Sequence, residues 1–155
     1  MNCKRVNSQF ILESIIRKYS SAPENAYAWI PELRIGVGYG TVVESRIDLF
    51  VMSCWPSKSL LKRVYEIKIS RSDLFSEIRT KPLKRRPGMM ISNEFYFAIP
   101  KGMISDYGTI PEESGLVEVD EAGKVETVLP ALWREAWPPT WPMFASILRR
   151  LKYGK

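Results

Sequence analysis

Apolar side chains along the chain switch between a helical and a strand period, and the switches mark its elements. From Val6 to Tyr19 the residues Phe10, Ile11, Leu12, Ile15, Ile16 and Tyr19 recur three and four apart, opposite Ser14, Arg17 and Lys18. That spacing predicts an amphipathic helix, which the serines and Pro23 of Ser20 to Asn25 bring to a close. Trp29 to Gly40 reads as a strand running into a flexible glycine turn. Its glycines lack the Gly-x-Gly-x-x-Gly spacing and no helical pattern follows, so it is not a dinucleotide-binding loop. Glu44 to Ser53 alternates as a strand should, placing Ile47, Leu49 and Val51 on one face and Arg46, Asp48, Phe50 and Met52 on the other. The Pro56 loop over 54–59 turns the chain back, so the next strand, Val64 to Ile69, is expected to pair with it antiparallel. There Tyr65, Ile67 and Ile69 share one face. Glu66 and Lys68 share the other, about 7 Å apart at roughly 3.3 Å per residue.

After Ile69 the period becomes helical. Ser70 is a good N-cap with Asp73 three residues on, and Leu74, Phe75 and Ile78 form the apolar side. Lys81, Lys84, Arg85 and Arg86 follow in a proline-interrupted stretch ending at Pro87-Gly88. Phe95-Tyr96-Phe97-Ala98-Ile99 is apolar throughout, which predicts a central strand buried on both faces. Being reached through a helix, it should lie parallel to its partner. Residues 115–119 and 124–128 read as a closing hairpin around Gly123, with Glu118 and Glu126 as exposed alternates. Trp133, Trp137 and Trp141 lead into a terminal helix capped by Thr140, with Met143, Phe144, Ile147, Leu148 and Leu151 on one side. The tryptophans are expected to clamp that helix to the core, base stacking being the competing reading. The whole predicts an α/β chain of the α+β kind: a central mixed four- to five-stranded sheet flanked by helices, in the order αβββαβ plus a C-terminal hairpin and helix. One domain over 1–155 accommodates it.

Composition narrows the chemistry. A net charge of +6 points to an anionic partner, with nucleic acid ahead of an acidic membrane surface. The absence of histidine removes Ser-His-Asp hydrolysis and histidine-ligated zinc, leaving carboxylates, lysines and a hard metal ion as candidate machinery. Cys3 and Cys54 sit in unrelated surroundings and read as free thiols. No apolar run reaches the length of a signal peptide or a membrane span, so the expected location is the cytoplasm, with no membrane partner.

Two features carry candidate chemistry. Asp48 is an acid in mid-strand among apolar neighbours, and Glu66-Ile67-Lys68 places an acid and an amine side by side on the strand expected to pair with it. Glu-x-Lys on a strand is also a common solvated ion pair, and Ser70 and Asp73 are accounted for by capping. Arg46-Ile47-Asp48 followed by Glu66-Ile67-Lys68, in this order of elements, resembles the PD-(D/E)XK nuclease superfamily, with Ile47 where that family's name has proline. Tyr65 to Leu74, Phe95 to Pro100 and Ile110 to Leu116 are similar to the MmcB-related group of DNA-repair proteins and to related phage and mobile-element proteins, across roughly the middle two thirds of the chain.

The resemblance implies a restriction-endonuclease-like core and a metal-dependent DNA endonuclease or exonuclease acting in repair, recombination or phage DNA processing. Asp48, Glu66 and the Ile67 backbone carbonyl would hold Mg²⁺, or Mn²⁺ in its place, with Glu13 or Glu32 completing the shell. Lys68 would orient or deprotonate the attacking water. Lys81, Lys84, Arg85 and Arg86, with Ser70 and Arg71, would contact DNA, and a homodimer would ease cutting of both strands. The alternatives are a non-catalytic nucleic-acid-binding module on the same fold, and a structural or partner-binding phage protein.

Overall fold

The computed structural model describes residues 5–23, 26–36 and 44–153. Four helices flank one six-stranded mixed sheet whose strands lie side by side in chain order. Helix α1 (Ser8–Ser20) opens the fold, its first turn closed by the Asn7 side chain accepting from Phe10 N–H at 2.8 Å. Strands β1 (Tyr27–Gly36), β2 (Glu44–Ser53) and β3 (Lys62–Ile67) form an antiparallel meander. Helices α2 (Arg71–Thr80) and α3 (Pro82–Met90) then cross the sheet, so β4 (Glu94–Pro100) returns parallel to β3. Strand β5 (Gly115–Val119) is parallel to β4, β6 (Val125–Leu129) turns back antiparallel to β5, and α4 (Trp141–Tyr153) packs across β1. The closing hairpin is therefore part of the central sheet, which has six strands instead of four or five.

Strand β4 is buried on both faces because its side chains serve two cores. Phe95, Phe97 and Ile99 join Val64, Leu74 of α2 and Met143 of α4 on one face; Tyr96 and Ala98 join Ile11, Ile15 and Tyr19 of α1 on the other. Gly88 lets α3 lie close over the first of these faces, since a β-carbon there would meet Ile47, Val64 and Phe95 at 3.3–3.4 Å.

The alternation on β1 and β2 changes phase midway. Tyr27 and Trp29 face α1, but Leu33 and Ile35 face α4; on β2, Leu49 and Val51 face α1 whereas Ile47 lies on the opposite side with Phe50. Ile47 is thus not on the face of Leu49 and Val51. The cause lies at Glu32, whose φ of 53° is a left-handed conformation rare outside glycine. The ladder runs from Pro31↔Leu49 to Leu33↔Ile47 and omits Glu32 and Asp48 between them. Asp48 therefore stands at the switch point of the strand, not in a regular ladder position.

Strand β3 ends at Ile67, and Ile69 is half exposed instead of sharing a buried face with Tyr65. Glu118 is buried, its Oε1 accepting from Tyr107 O–H at 3.0 Å, which corrects its expected exposure; Glu126 is exposed. The tryptophans do not clamp α4, for Trp133, Trp137 and Trp141 are all more than half exposed. The segment before α4 is held by its backbone, with Arg134 N–H on Asn93 O and Trp137 N–H on Met90 O. The expected glycine turn at Val37 to Gly40, and Cys3, lie outside the described residues; Cys54 is an exposed free thiol. Among the described residues no helix is long and apolar enough to cross a membrane.

Candidate active site

The site forms where the β2–β3 ladder ends, against α2 and α3. Continuing the register from Leu49↔Tyr65 sets Asp48 beside Glu66. The Asp48 carboxylate accepts from Ile67 N–H at 2.7 Å, and Lys68 N–H reaches Ala98 O at 2.9 Å, so both ends of the Glu66-Ile67-Lys68 tripeptide are fixed by neighbouring strands. Three residues later α2 begins, with Ser70 Oγ accepting from Asp73 N–H at 3.2 Å. So short a joint lays the first two turns of α2 directly over Lys68.

Lys68 is the hub. Its ammonium lies 3.0 Å from Glu77, 3.3 Å from Glu66 and 3.7 Å from Asp73, and all but Asp73 are buried. Lys84 of α3 reaches the same acids from outside, at 3.3 Å from Glu77 and 4.0 Å from Glu66. Burial pushes the Glu66 carboxyl up to about 8, with Asp48 and Glu77 adding repulsion that the two lysines only partly offset. Burial also raises Asp48, against the opposing effects of the Ile67 N–H and of Lys68. For Lys68 burial favours the neutral amine, but Glu66, Glu77 and Asp73 outweigh it and hold the ammonium above its ordinary value. Lys68 is therefore held as an ammonium, a positive charge fixed among these acids.

Glu77 is the third acid of the cluster, and Glu13 and Glu32 are not. Glu13 is on the opposite side of the sheet with α1, where its carboxylate takes a hydrogen bond from Gln9 at 2.8 Å on the surface. Glu32 is half exposed and pairs with Arg46. The signal for Glu77 is its place four residues after Asp73 on the helix that follows Lys68, because i, i+4 side chains share a helical face. Among the cations expected on DNA, Lys81, Arg86 and Arg71 are exposed, and Ser70 is spent on its cap. Arg85 is buried: it donates to Glu77 O at 3.3 Å, meets Glu113 at 3.5 Å and lies over the Phe97 ring. It ties α3 to the core and has no surface with which to touch DNA.

For a divalent cation the donors present are Asp48, Glu66 and the Ile67 carbonyl. Among the described residues no group of three or more acids, histidines or cysteines is drawn together tightly enough to enclose an ion. Two carboxylates nonetheless suit Mg²⁺, which keeps several of its waters. The repulsion that raises Glu66 is what such an ion would relieve. Glu77 Oε1 is met by both lysines, and among the described residues its Oε2 has no hydrogen-bond partner.

Fold and site together define an α+β protein with a six-stranded mixed sheet and a buried acid–lysine cluster where the ladder between two adjacent strands ends. No protein-family model matches the chain, and no curated protein does. Among solved structures the chain is similar to a protein of unknown function from Silicibacter pomeroyi, at 20% identity and a TM-score of 0.52, covering 83% of this chain and 82% of that one. At that identity the likeness speaks for the fold alone.

Proposed function

We propose that the protein is a Mg²⁺-dependent deoxyribonuclease on a restriction-endonuclease-like core. The observation that carries the reading is the meeting of Asp48 and Glu66-x-Lys68, from adjacent strands, in one buried cluster at a sheet end. The element order αβββααβ, which differs from the expected αβββαβ by the second helix α3, and the parallel pairing of β4 with the last strand of the meander support it.

Asp48, Glu66 and the Ile67 carbonyl are the groups that would hold the ion. Mg²⁺ supplies charge neutralisation at phosphoryl oxygens and a more acidic bound water. Lys68, kept cationic by its acidic neighbours, contributes a positive charge where negative charge develops during phosphodiester cleavage. Glu77 and Asp73 position that ammonium. Lys84, half exposed at the rim, is placed to meet a phosphate as well as the acids.

One observation favours the second reading, a DNA-binding module without cleavage: Lys68 and Lys84 already neutralise Glu66 and Glu77 without an ion. Incubation with plasmid, linear, single-stranded and branched DNA in Mg²⁺, Mn²⁺ or EDTA separates the two. The nuclease reading expects metal-dependent cleavage that Asp48→Asn reduces at least ~100-fold while DNA affinity in EDTA is retained. Binding without cleavage of any form in either metal would establish the module instead.

A further inference from the structure

We infer that the cleft between β1 and α4 is a track for the phosphodiester backbone of a nucleic-acid strand, leading to Asp48. This deepens the reading above and rests on it. The cleft, of about 390 Å³, is lined by Glu32 and Arg34 of β1 and by Pro142, Ser146, Arg149 and Arg150 of α4. Arg150 Nη2 donates to Pro31 O at 2.5 Å, which fixes one wall against the strand. Glu32, the one acid in the lining, is answered by Arg46. Among the described residues none of Arg34, Arg149 and Arg150 has a carboxylate within ion-pair distance. Three guanidinium groups therefore line the cleft with no ion pair among the described residues, and planar guanidinium forks match phosphate oxygens.

Position links the cleft to the site. Glu32 stands across from Asp48 at the point where both strands change phase. Met143 of α4 and Leu74 of α2 belong to one buried cluster, so α4 and the acid–lysine site lie on the same face of the sheet. The basic stretch on α3 offers less than its sequence promises, because Arg85 is buried and Lys84 is held by the acids. The cleft beside β1 adds Arg34, Arg149 and Arg150 to the exposed Arg71, Lys81 and Arg86 of α2 and α3 and the joint between them. A strand whose phosphates lie along Arg149 and Arg34 passes Glu32 and arrives at Asp48.

The test is fluorescence anisotropy with labelled single-stranded and duplex DNA over a range of salt, in EDTA so that nothing is cut. Arg34→Ala/Arg149→Ala, both exposed positions, should weaken binding about tenfold or more. It should also flatten the slope of log affinity against log salt by nearly two for duplex, at roughly 0.9 for each phosphate no longer neutralised. Arg34→Lys/Arg149→Lys, which keeps the charge, should restore the slope, so that a folding defect is not mistaken for the removal of a phosphate ligand. Wild-type affinity and slope in the alanine variant would overturn the track and leave the nuclease reading intact. A wild-type protein that binds neither DNA at low salt would overturn both.

Discussion

Glu66→Gln should make the metal-free protein more stable at pH 8 and leave it almost unchanged at pH 5. Glu66 is 8% exposed and titrates near 8 in the folded protein, against 4.5 for an ordinary glutamate. Between those two values the folded state holds a proton that the unfolded state has released, so stability falls as pH rises through the window. Each pH unit is worth about 1.4 kcal/mol, so the whole window removes on the order of 4–5 kcal/mol, less whatever local relaxation recovers. Lys68 leaves this slope alone, because its raised value lies above 10.5 and its stabilising contribution is fully present below that pH. Glutamine keeps the shape and cannot ionise, so the share of the slope that belongs to Glu66 disappears, leaving that of the likewise raised Asp48. Urea unfolding of both proteins at pH 5, 6.5 and 8 in EDTA reads the effect, and a gain of at least about 2 kcal/mol at pH 8 is expected. Parallel pH slopes for the two proteins would refute the reasoning.

Lys68→Met leaves Glu66 and Glu77 with only the half-exposed Lys84 as partner, so it should cost roughly 3–5 kcal/mol at pH 8 and less at pH 5, where Glu66 is protonated. Urea midpoints at the two pH values check the sign, and an equal loss at both would exclude an unpaired Glu66 as the cause. Arg85→Ala should lower stability by about 2 kcal/mol or more, because it removes the packing on Phe97 and the polar links to Glu77 and Glu113, while DNA affinity measured well below the melting temperature stays the same. Anisotropy beside thermal unfolding tests it, and weaker binding without a stability loss would return Arg85 to the DNA surface.

What is legible in the sequence follows from local period. The antiparallel turn at Pro56, the parallel return of β4 and the closeness of Asp48 to Glu66 follow from alternation, caps and the run Phe95 to Ile99, whereas α3 is hidden in what reads as a proline-interrupted basic stretch. The period misleads where a contact between distant residues overrides it. Ile47 changes face because Glu32, on another strand, adopts a left-handed conformation. Glu77 joins the cluster because α2 starts three residues after Lys68 and folds over it, whereas only a general neighbourhood speaks for Glu13 and Glu32. Arg85 looks like its exposed neighbours in a basic run, and only the packing of α3 through Gly88 onto the sheet buries it. Glu118 cannot be assigned from alternation, since its partner Tyr107 comes from a loop.

The strand order, β1 through β6 as they occur in the chain, has a consequence for how the molecule can be built. Every strand pairs with the one synthesised just before it, so the sheet can lengthen in one direction as the chain emerges, and no strand must later be inserted between two already joined. Asp48, Glu66, Lys68, Asp73, Glu77 and Lys84 all lie between positions 48 and 84, within the meander and the two helices that follow it. The charged cluster is therefore complete in chain order before β4 supplies the phenylalanines of its floor and long before α4 supplies the arginines beside β1. A nascent chain halted after α3 would hold these carboxylates and ammonium groups in water, where they remain ionised at little cost. The ion pairs Lys68–Glu77 and Lys84–Glu77 then close between groups no more than nine residues apart in the chain as α2 and α3 settle over the meander.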